Sequence, residues 1–327
     1  MLLPDFDSRE RAAAPVTPAS DFARAMFDCL DRSPHEISPK YFYDREGSQL
    51  FEQICQLPEY YVTRTELDII RRDVGEMSAL IGPDTEVIEF GAGSLEKTRL
   101  LLDALESPRR LVAIDISGEH LANAAVKIGG DFPATEVVPI VADFVRPEEL
   151  PIPPVVSPHS RRIGFFPGST LGNLSMIEAR RFLAGAARLL RGGGLLIGID
   201  LVKDPAVLHA AYNDRAGITA AFNLNVLARA NRELAADFRL AGFRHYAFYH
   251  PQRQRVEMHL ICTSPQIVQL ADRRFAIAPG TSIHTENSQK YTVDGFQDLA
   301  RTCGFVPRAL WCDRQALFSI HWLESPA

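Results

Sequence analysis

The chain of 327 residues has only five cysteines, Cys29, Cys55, Cys262, Cys303 and Cys312, and no CxxC pair. So odd and scattered a set excludes a disulfide framework and leads us to expect reduced thiols in the cytoplasm. The nine histidines include no HxH or HExxH spacing, so no metal site is expected. No basic block interrupts a net charge of −6. That argues against a nucleic-acid surface and for a small-molecule substrate. No apolar run approaches ~18 residues, so neither a spanning helix nor a membrane partner is expected. The N-terminus is acidic and proline-bearing and lacks the apolar stretch of a secretory signal. Internal repeats and low-complexity tracts are absent too. These exclusions leave a cytoplasmic protein, expected to be a monomer.

What is present is a 46% hydrophobic chain whose apolar runs alternate with amphipathic segments. Residues 1–19 read as a loose terminus and 21–31 as a helix. A tyrosine-dense entry follows, with Tyr41, Tyr43, Tyr60 and Tyr61 around a short helix at 48–56. Strands are expected at 86–90, 111–114, 136–141, 162–166 and 195–199, with helices at 63–81, after 95, at 118–128 and at 176–190. Strand alternating with helix predicts a parallel, doubly wound α/β sheet. Residues 201–288 break that rhythm with helices and short strands and read as an inserted α+β lobe. A helix at 293–303 and two strands, 306–312 and 317–323, close the chain. A terminal antiparallel hairpin on a parallel sheet is the pattern of class I methyltransferases, a Rossmann-like fold.

The stretch VIEFGAGSLEKTR (87–99) reads as a buried strand, a glycine turn and a helix start capped by Ser94. A nicotinamide fingerprint would place a third glycine where Glu96 stands. A carboxylate at a helix start repels a pyrophosphate. It suits S-adenosylmethionine, which carries a sulfonium and an ammonium and no phosphate. Asp115, 24 residues after Gly91, stands where an acid takes ribose hydroxyls. Asp143 follows the third strand, placed to accept from an adenine amino group, with Phe144 against the ring. Each acid alone reads more readily as a turn or N-cap residue; three strand-end acids in register, Glu89, Asp115 and Asp143, together with the terminal hairpin, point to S-adenosylmethionine.

The segments PKYFYDREGSQLFEQICQLPEYYVTRTE (39–66), EFGAGSLEKTRLLLDAL (89–105), GSTLGN (168–173), DLVKD (200–204), AYNDRAGITAAFNLNVL (211–227), NRELAADF (231–238), RVEMHL (255–260) and TENSQKY (285–291) run through most of the chain. Together they closely resemble the histidine Nα-methyltransferase family of ergothioneine biosynthesis. The resemblance implies two lobes: a methyltransferase domain of 62–200 and 289–327, and a substrate-binding lobe of 20–61 and 201–288. It implies cofactor contacts at Gly91, Lys97, Asp115, Asp143 and Phe144. It puts Tyr43 and Asn173 at the reacting centre. Histidine contacts fall on Tyr60, Gly168, Asn173, Tyr212, Met258, Glu286 and Ser288, and Phe51 and Thr219 line the same pocket. The implied reaction is trimethylation of L-histidine to hercynine. Alternatives are an N-methyltransferase of another amino acid or a non-catalytic S-adenosylmethionine-binding regulator. Without the resemblance, Glu286 and Ser288 read as solvated loop residues, Lys97 as a surface charge, and Phe222 and Phe238 as core. His245, His250, His259 and His321 read as structural or surface residues. Asn287 raises the question of whether it points away from the pocket.

Overall fold

A computed structural model describes residues 20–157 and 160–327. The expected loose terminus, 1–19, lies outside the described residues. Helix α1 (Asp21–Asp31) is capped by Ser20, whose hydroxyl accepts from the Ala23 amide at 3.1 Å. The two-residue strand β1 (His35–Glu36), α2 (Arg45–Gln56) and α3 (Tyr61–Ile81) follow. The alternating stretch comprises β2 (Glu86–Phe90), α4 (Glu96–Ala104), β3 (Arg110–Asp115), α5 (Gly118–Asp131), β4 (Glu136–Val141), β5 (Arg162–Phe166), α6 (Met176–Leu189) and β6 (Gly194–Asp200). Helices α7 (Pro205–Tyr212) and α8 (Ile218–Leu234) lead to β7 (Phe243–His250), β8 (Arg255–Cys262), β9 (Gln266–Leu270), β10 (Arg273–Ile277) and β11 (Ser282–Gln289). The chain closes with α9 (Val293–Thr302), β12 (Val306–Cys312) and β13 (Phe318–Glu324).

The larger sheet has the order β12-β13-β6-β5-β2-β3-β4. Five strands are parallel; β13 lies antiparallel to β6, and β12 antiparallel to β13. This is the class I methyltransferase sheet with its reversed terminal hairpin. Its chain direction switches at β2, which pairs with β3 on one side and β5 on the other. Ligands of open α/β sheets collect outside the carboxyl ends of the strands at such a switch. Successive residues of the central strands face opposite sides. Val87, Leu111, Ile163 and Leu196 therefore enter one apolar cluster with α3 and α4, while Ile88, Val112, Phe166 and Ile197 enter another with α6 and α9. Edge strand β4 carries Pro139, whose missing donor costs no ladder bond at an edge.

A second sheet, β1-β11-β8-β7, holds the inserted segment. The N-terminal strand β1 joins it, parallel to β11. Its apolar residues Val256, Met258 and Ile283 belong to the same cluster as Val87 and Leu111, so one core continues from the large sheet beneath the small one.

Three expectations are corrected. Ser94 does not cap α4; the position before the helix is Leu95, buried and left-handed at φ +59°, while Ser94 is exposed. Glu286 and Ser288 lie on strand β11 and are buried, not on a solvated loop. Phe222 is core, as expected, but also lines the cavity described next.

Candidate active site

Between the two sheets, at the carboxyl ends of β2 to β6, lies a cavity of about 1320 Å³. Every site residue expected from the sequence borders it: Tyr43, Tyr60, Gly91, Lys97, Asp115, Asp143, Phe144, Gly168, Asn173, Tyr212, Met258, Glu286 and Ser288.

One side is built by the β2–α4 turn. Gly91 sits at φ +72°, a conformation costly for any side chain, and a Cβ there would meet Phe144 at 3.5 Å. Asp115 Oδ2 accepts from the Gly93 amide at 3.0 Å and Oδ1 from the Ser117 amide at 2.8 Å. The acid thus ties the glycine turn to the end of β3. Asp143 accepts from the Val145 amide at 3.1 Å and pairs with Lys40 at 3.0 Å. Phe144 packs edge-on against Phe166, 5.3 Å between centroids. Glu89 is buried and bonded by Thr98; burial outweighs that bond and holds its carboxyl up at about 8. The lining holds more acids than cations, three of those cations, Lys40, Lys97 and Arg146, are already paired with carboxylates, and Glu96 sits in the first turn of α4. That donor set fits a cationic, phosphate-free cofactor better than a dinucleotide. Lys97 is no free surface charge: it pairs at 2.5 Å with Glu66, which is buried. Glu66 in turn accepts from the Gly168 amide at 2.8 and 2.9 Å. The turn after β5 is therefore anchored through its amide, despite Pro167 before it.

The other side is aromatic and polar. Tyr43, Phe51, Tyr60 and Phe222 meet largely edge to face: Tyr43 and Phe51 at 5.7 Å, Phe51 and Tyr60 at 6.4 Å, Tyr43 and Phe222 at 5.7 Å. Burial raises the Tyr43 and Tyr60 phenols well above their ordinary range, with Glu286 adding to both, so both are neutral donors at physiological pH. Glu286 and Ser288, two apart on β11, face the same way. Burial pushes the Glu286 carboxyl up to about 7, against the pull of the Lys290 ammonium. Asn287 also borders the cavity, and its buried side-chain oxygen has no protein partner among the described residues.

The sequence reading missed the layer behind these groups. Asp200, buried at the end of β6, receives the Tyr61 hydroxyl at 2.7 Å, Lys203 at 2.5 Å and Lys290 at 2.8 Å. Lys290 also donates to Tyr212 at 3.2 Å and to Ser288. The spacing of Ser288 and Lys290 was the available signal: two apart on an extended chain, they point the same way. His245, read from the sequence as structural or surface, is a structural support. Its Nε2 donates to the Tyr212 carbonyl at 2.9 Å, which makes Nδ1 the acceptor of the Asn223 amide at 2.9 Å. Asn223 in turn accepts from Thr285 at 2.7 Å.

Elsewhere, Glu257, His259 and His284 bring ligand atoms within 4.8 Å of one another. The Glu257 carboxylate is already bonded by Arg255 at 2.8 Å and by His259 at 3.3 Å, and the two imidazoles stack at 4.8 Å. This is a hydrogen-bonded chain rather than a converging ligand set.

Residues 22–325 match the family described as "Histidine-specific methyltransferase, SAM-dependent". The chain is 41% identical to the histidine N-alpha-methyltransferase of Mycolicibacterium smegmatis, over 89% of this chain and 91% of that one. It is 38% identical to the Mycobacterium tuberculosis protein of the same name, over 91% and 92%. It is also 29% identical to ergothioneine biosynthesis protein 1 of Neurospora crassa, over 88% of this chain and 33% of that longer one. With sheet, cavity and relatives in agreement, the chain belongs to the histidine-specific, S-adenosylmethionine-dependent methyltransferases.

Proposed function

We propose that this protein methylates the α-amine of L-histidine three times, giving hercynine, the first step of ergothioneine biosynthesis. The observation that carries the reading is the burial of Glu286 and Ser288 in the same cavity as the Gly91 turn, Asp115 and Asp143. S-adenosylmethionine supplies a methyl group on a cationic sulfur. The chain's own residues bind, orient and exclude water.

On the cofactor side, Asp115 takes the ribose hydroxyls and Asp143 the adenine amino group, with Phe144 against the ring. Gly91 leaves room for close approach, and Lys97 completes that side. On the substrate side, Tyr212 and Asn173 receive the carboxylate. The Gly168 carbonyl, Asn173 and Tyr43 orient the amine for in-line attack; Tyr43 and Asn173 are the catalytic residues of this reading. Glu286 and Ser288 hold the imidazole, and Tyr60 and Met258 wall it. The aromatic faces of Tyr43, Phe51 and Phe222 suit a diffuse cation, whether sulfonium or quaternary ammonium.

Specificity follows from leaving a buried carboxylate unpaired: a substrate without an imidazole N–H forfeits the Glu286 bond and bears its desolvation cost. We read the chain as two lobes, 62–200 with 289–327 and 20–61 with 201–288, closing on the substrate. We also read it as a cytoplasmic monomer. Mass spectrometry of a reaction with histidine and S-adenosylmethionine tests the assignment. Successive products with one, two and three added methyl groups are expected; no methylated histidine, with no histidine binding at millimolar concentration, would overturn it.

A further inference from the structure

Behind the cavity wall, against Tyr212 and Ser288, stands a buried lysine that the reading above leaves unexplained. Lys290 is 1% exposed. Its ammonium has three N–H bonds and no lone pair. All three are used: one to Asp200 Oδ2 at 2.8 Å, one to Tyr212 Oη at 3.2 Å and one to Ser288 Oγ. A buried ammonium without partners would lose its proton. Here burial pulls the Lys290 pKa down, but Asp200 and Tyr212 outweigh it and hold the group firmly charged.

The direction of these bonds has a chemical consequence. The Tyr212 oxygen is an acceptor toward Lys290, so the phenol proton is directed elsewhere. Tyr212 borders the cavity, and burial, outweighing the nearby ammonium, raises its phenol above the usual range, so that proton stays on. Tyr212 is thereby a donor at the cavity, with Ser288 beside it and any bound ligand as the acceptors in its reach. Ser288 is held by the same ammonium.

Charge points the same way. Asp200 is ionised: burial opposes this, but Lys290 and Lys203 prevail. Lys203, lowered to about 8 by burial against the pull of Asp200, is charged at neutral pH. The Asp200–Lys203–Lys290 cluster therefore carries one excess positive charge directly behind Tyr212. A donor backed by a buried cation fits an anionic ligand group and disfavours a neutral or cationic one.

We propose that Lys290 is a positioning residue that makes the site selective for a free α-carboxylate, by fixing Tyr212 as a donor and placing positive charge behind it. The proposal rests on the histidine reading above and extends it to a residue that does not touch the substrate. It also explains why the lysine is buried among hydroxyls rather than replaced by an apolar side chain.

The test compares L-histidine with L-histidinamide, in which a neutral carboxamide replaces the carboxylate, on the full-length enzyme and its Lys290→Met and Lys290→Gln variants. Lys203 and Tyr61 still satisfy Asp200 in both variants. Expected are a rise of about 10- to 100-fold in KM for histidine, a change below about threefold in kcat, an unaltered Kd for S-adenosylmethionine, and little change with histidinamide. The preference for the free acid would thus collapse. Equal losses on both ligands, an unchanged preference, or loss of S-adenosylmethionine binding together with histidine binding would each overturn the proposal and leave Lys290 a purely structural role. Wild-type enzyme that neither binds nor methylates histidine would instead overturn the functional reading itself.

Discussion

Glu286 shows most plainly how one residue trades stability for recognition. Its folded pKa is raised from 4.5 to about 7 by burial. The folded state therefore favours the protonated acid, so this contribution to stability is complete below pH 4.5 and is lost as pH rises through about 7. Glu286→Gln removes the buried charge. It is expected to gain stability over wild type by up to roughly 3 kcal/mol at pH 8.5 and little at pH 4.5, while histidine affinity falls. Thermal melts at the two pH values check this; a gain independent of pH would contradict it. His245 titrates in the other direction. Burial lowers its pKa despite the bond to the Tyr212 carbonyl, so the support it gives is present above pH 6.5 and is lost as pH falls through the folded value. His245→Phe takes one acceptor from the Asn223 amide and the donor from that carbonyl, and should cost about 1–3 kcal/mol by chemical denaturation. Legibility at this scale divided by distance along the chain. Gly91, Asp115 and Asp143 were readable as positions at the cavity because strand ends and glycine turns follow local rules. Asp200 and Lys290 were not, because their pairing spans two sheets, and a lone lysine reads as solvated.

Among the elements, the turn into α2 explains why the tyrosine-rich entry is so specific in sequence. Asp44 caps the helix at the Gly47 amide, 2.8 Å away, and also accepts from Asn225 on α8, at 2.8 Å. Arg232 reaches the same carboxylate at 2.5 Å. One side chain thus ends a helix and fastens it to another, placing Tyr43 against Phe222. A Cβ on Gly47 would lie 1.7 Å from the Phe42 carbonyl oxygen, so no side chain fits there without moving the turn. Asp44→Ala is expected to cost about 1–3 kcal/mol, seen as a lowered urea midpoint, with Gly47→Ala costing at least as much. If Asp44→Ala melts like wild type, the turn is not the fastening described. Strands of the larger sheet were legible because apolar, β-branched runs bounded by helices leave little ambiguity. Strand β11 was not. Its residues, SIHTENSQ, are polar because they face a ligand cavity and a hydrogen-bonded layer, so the apolar alternation that marks a half-buried strand is missing.

At the scale of the whole molecule, the cavity draws on both sheets, so ligands should stabilise the fold as a unit. Histidine at a hundredfold excess over its Kd should add about 2.7 kcal/mol to the unfolding free energy. The Glu286→Gln variant should show almost none of that gain at the same concentration, although it starts more stable at alkaline pH. Differential scanning calorimetry separates the two effects; equal ligand shifts in both proteins would remove Glu286 from the binding site. Lys40 and Asp143 pair across the cavity mouth at 35% and 41% side-chain exposure, so screening limits that bridge to about 1 kcal/mol or less. Overall architecture was legible from the order of elements alone. What that order could not reveal was that β1, near the start of the chain, belongs to the sheet built from its last third.

That placement governs how the chain acquires its shape on the ribosome. His35 pairs with Ile283, and Glu36 with His284. Strand β6 must also wait for β13, which lies beyond residue 317, to cover its free edge. Contacts so far apart in sequence make folding slow. During synthesis, α1 and α2 have no sheet to join until nearly all of the protein has emerged. The parallel core can assemble first, its glycine turn already formed, while the chamber for the amino acid closes last. A nascent chain is therefore expected to gain the means to hold a methyl donor before it can recognise anything to methylate.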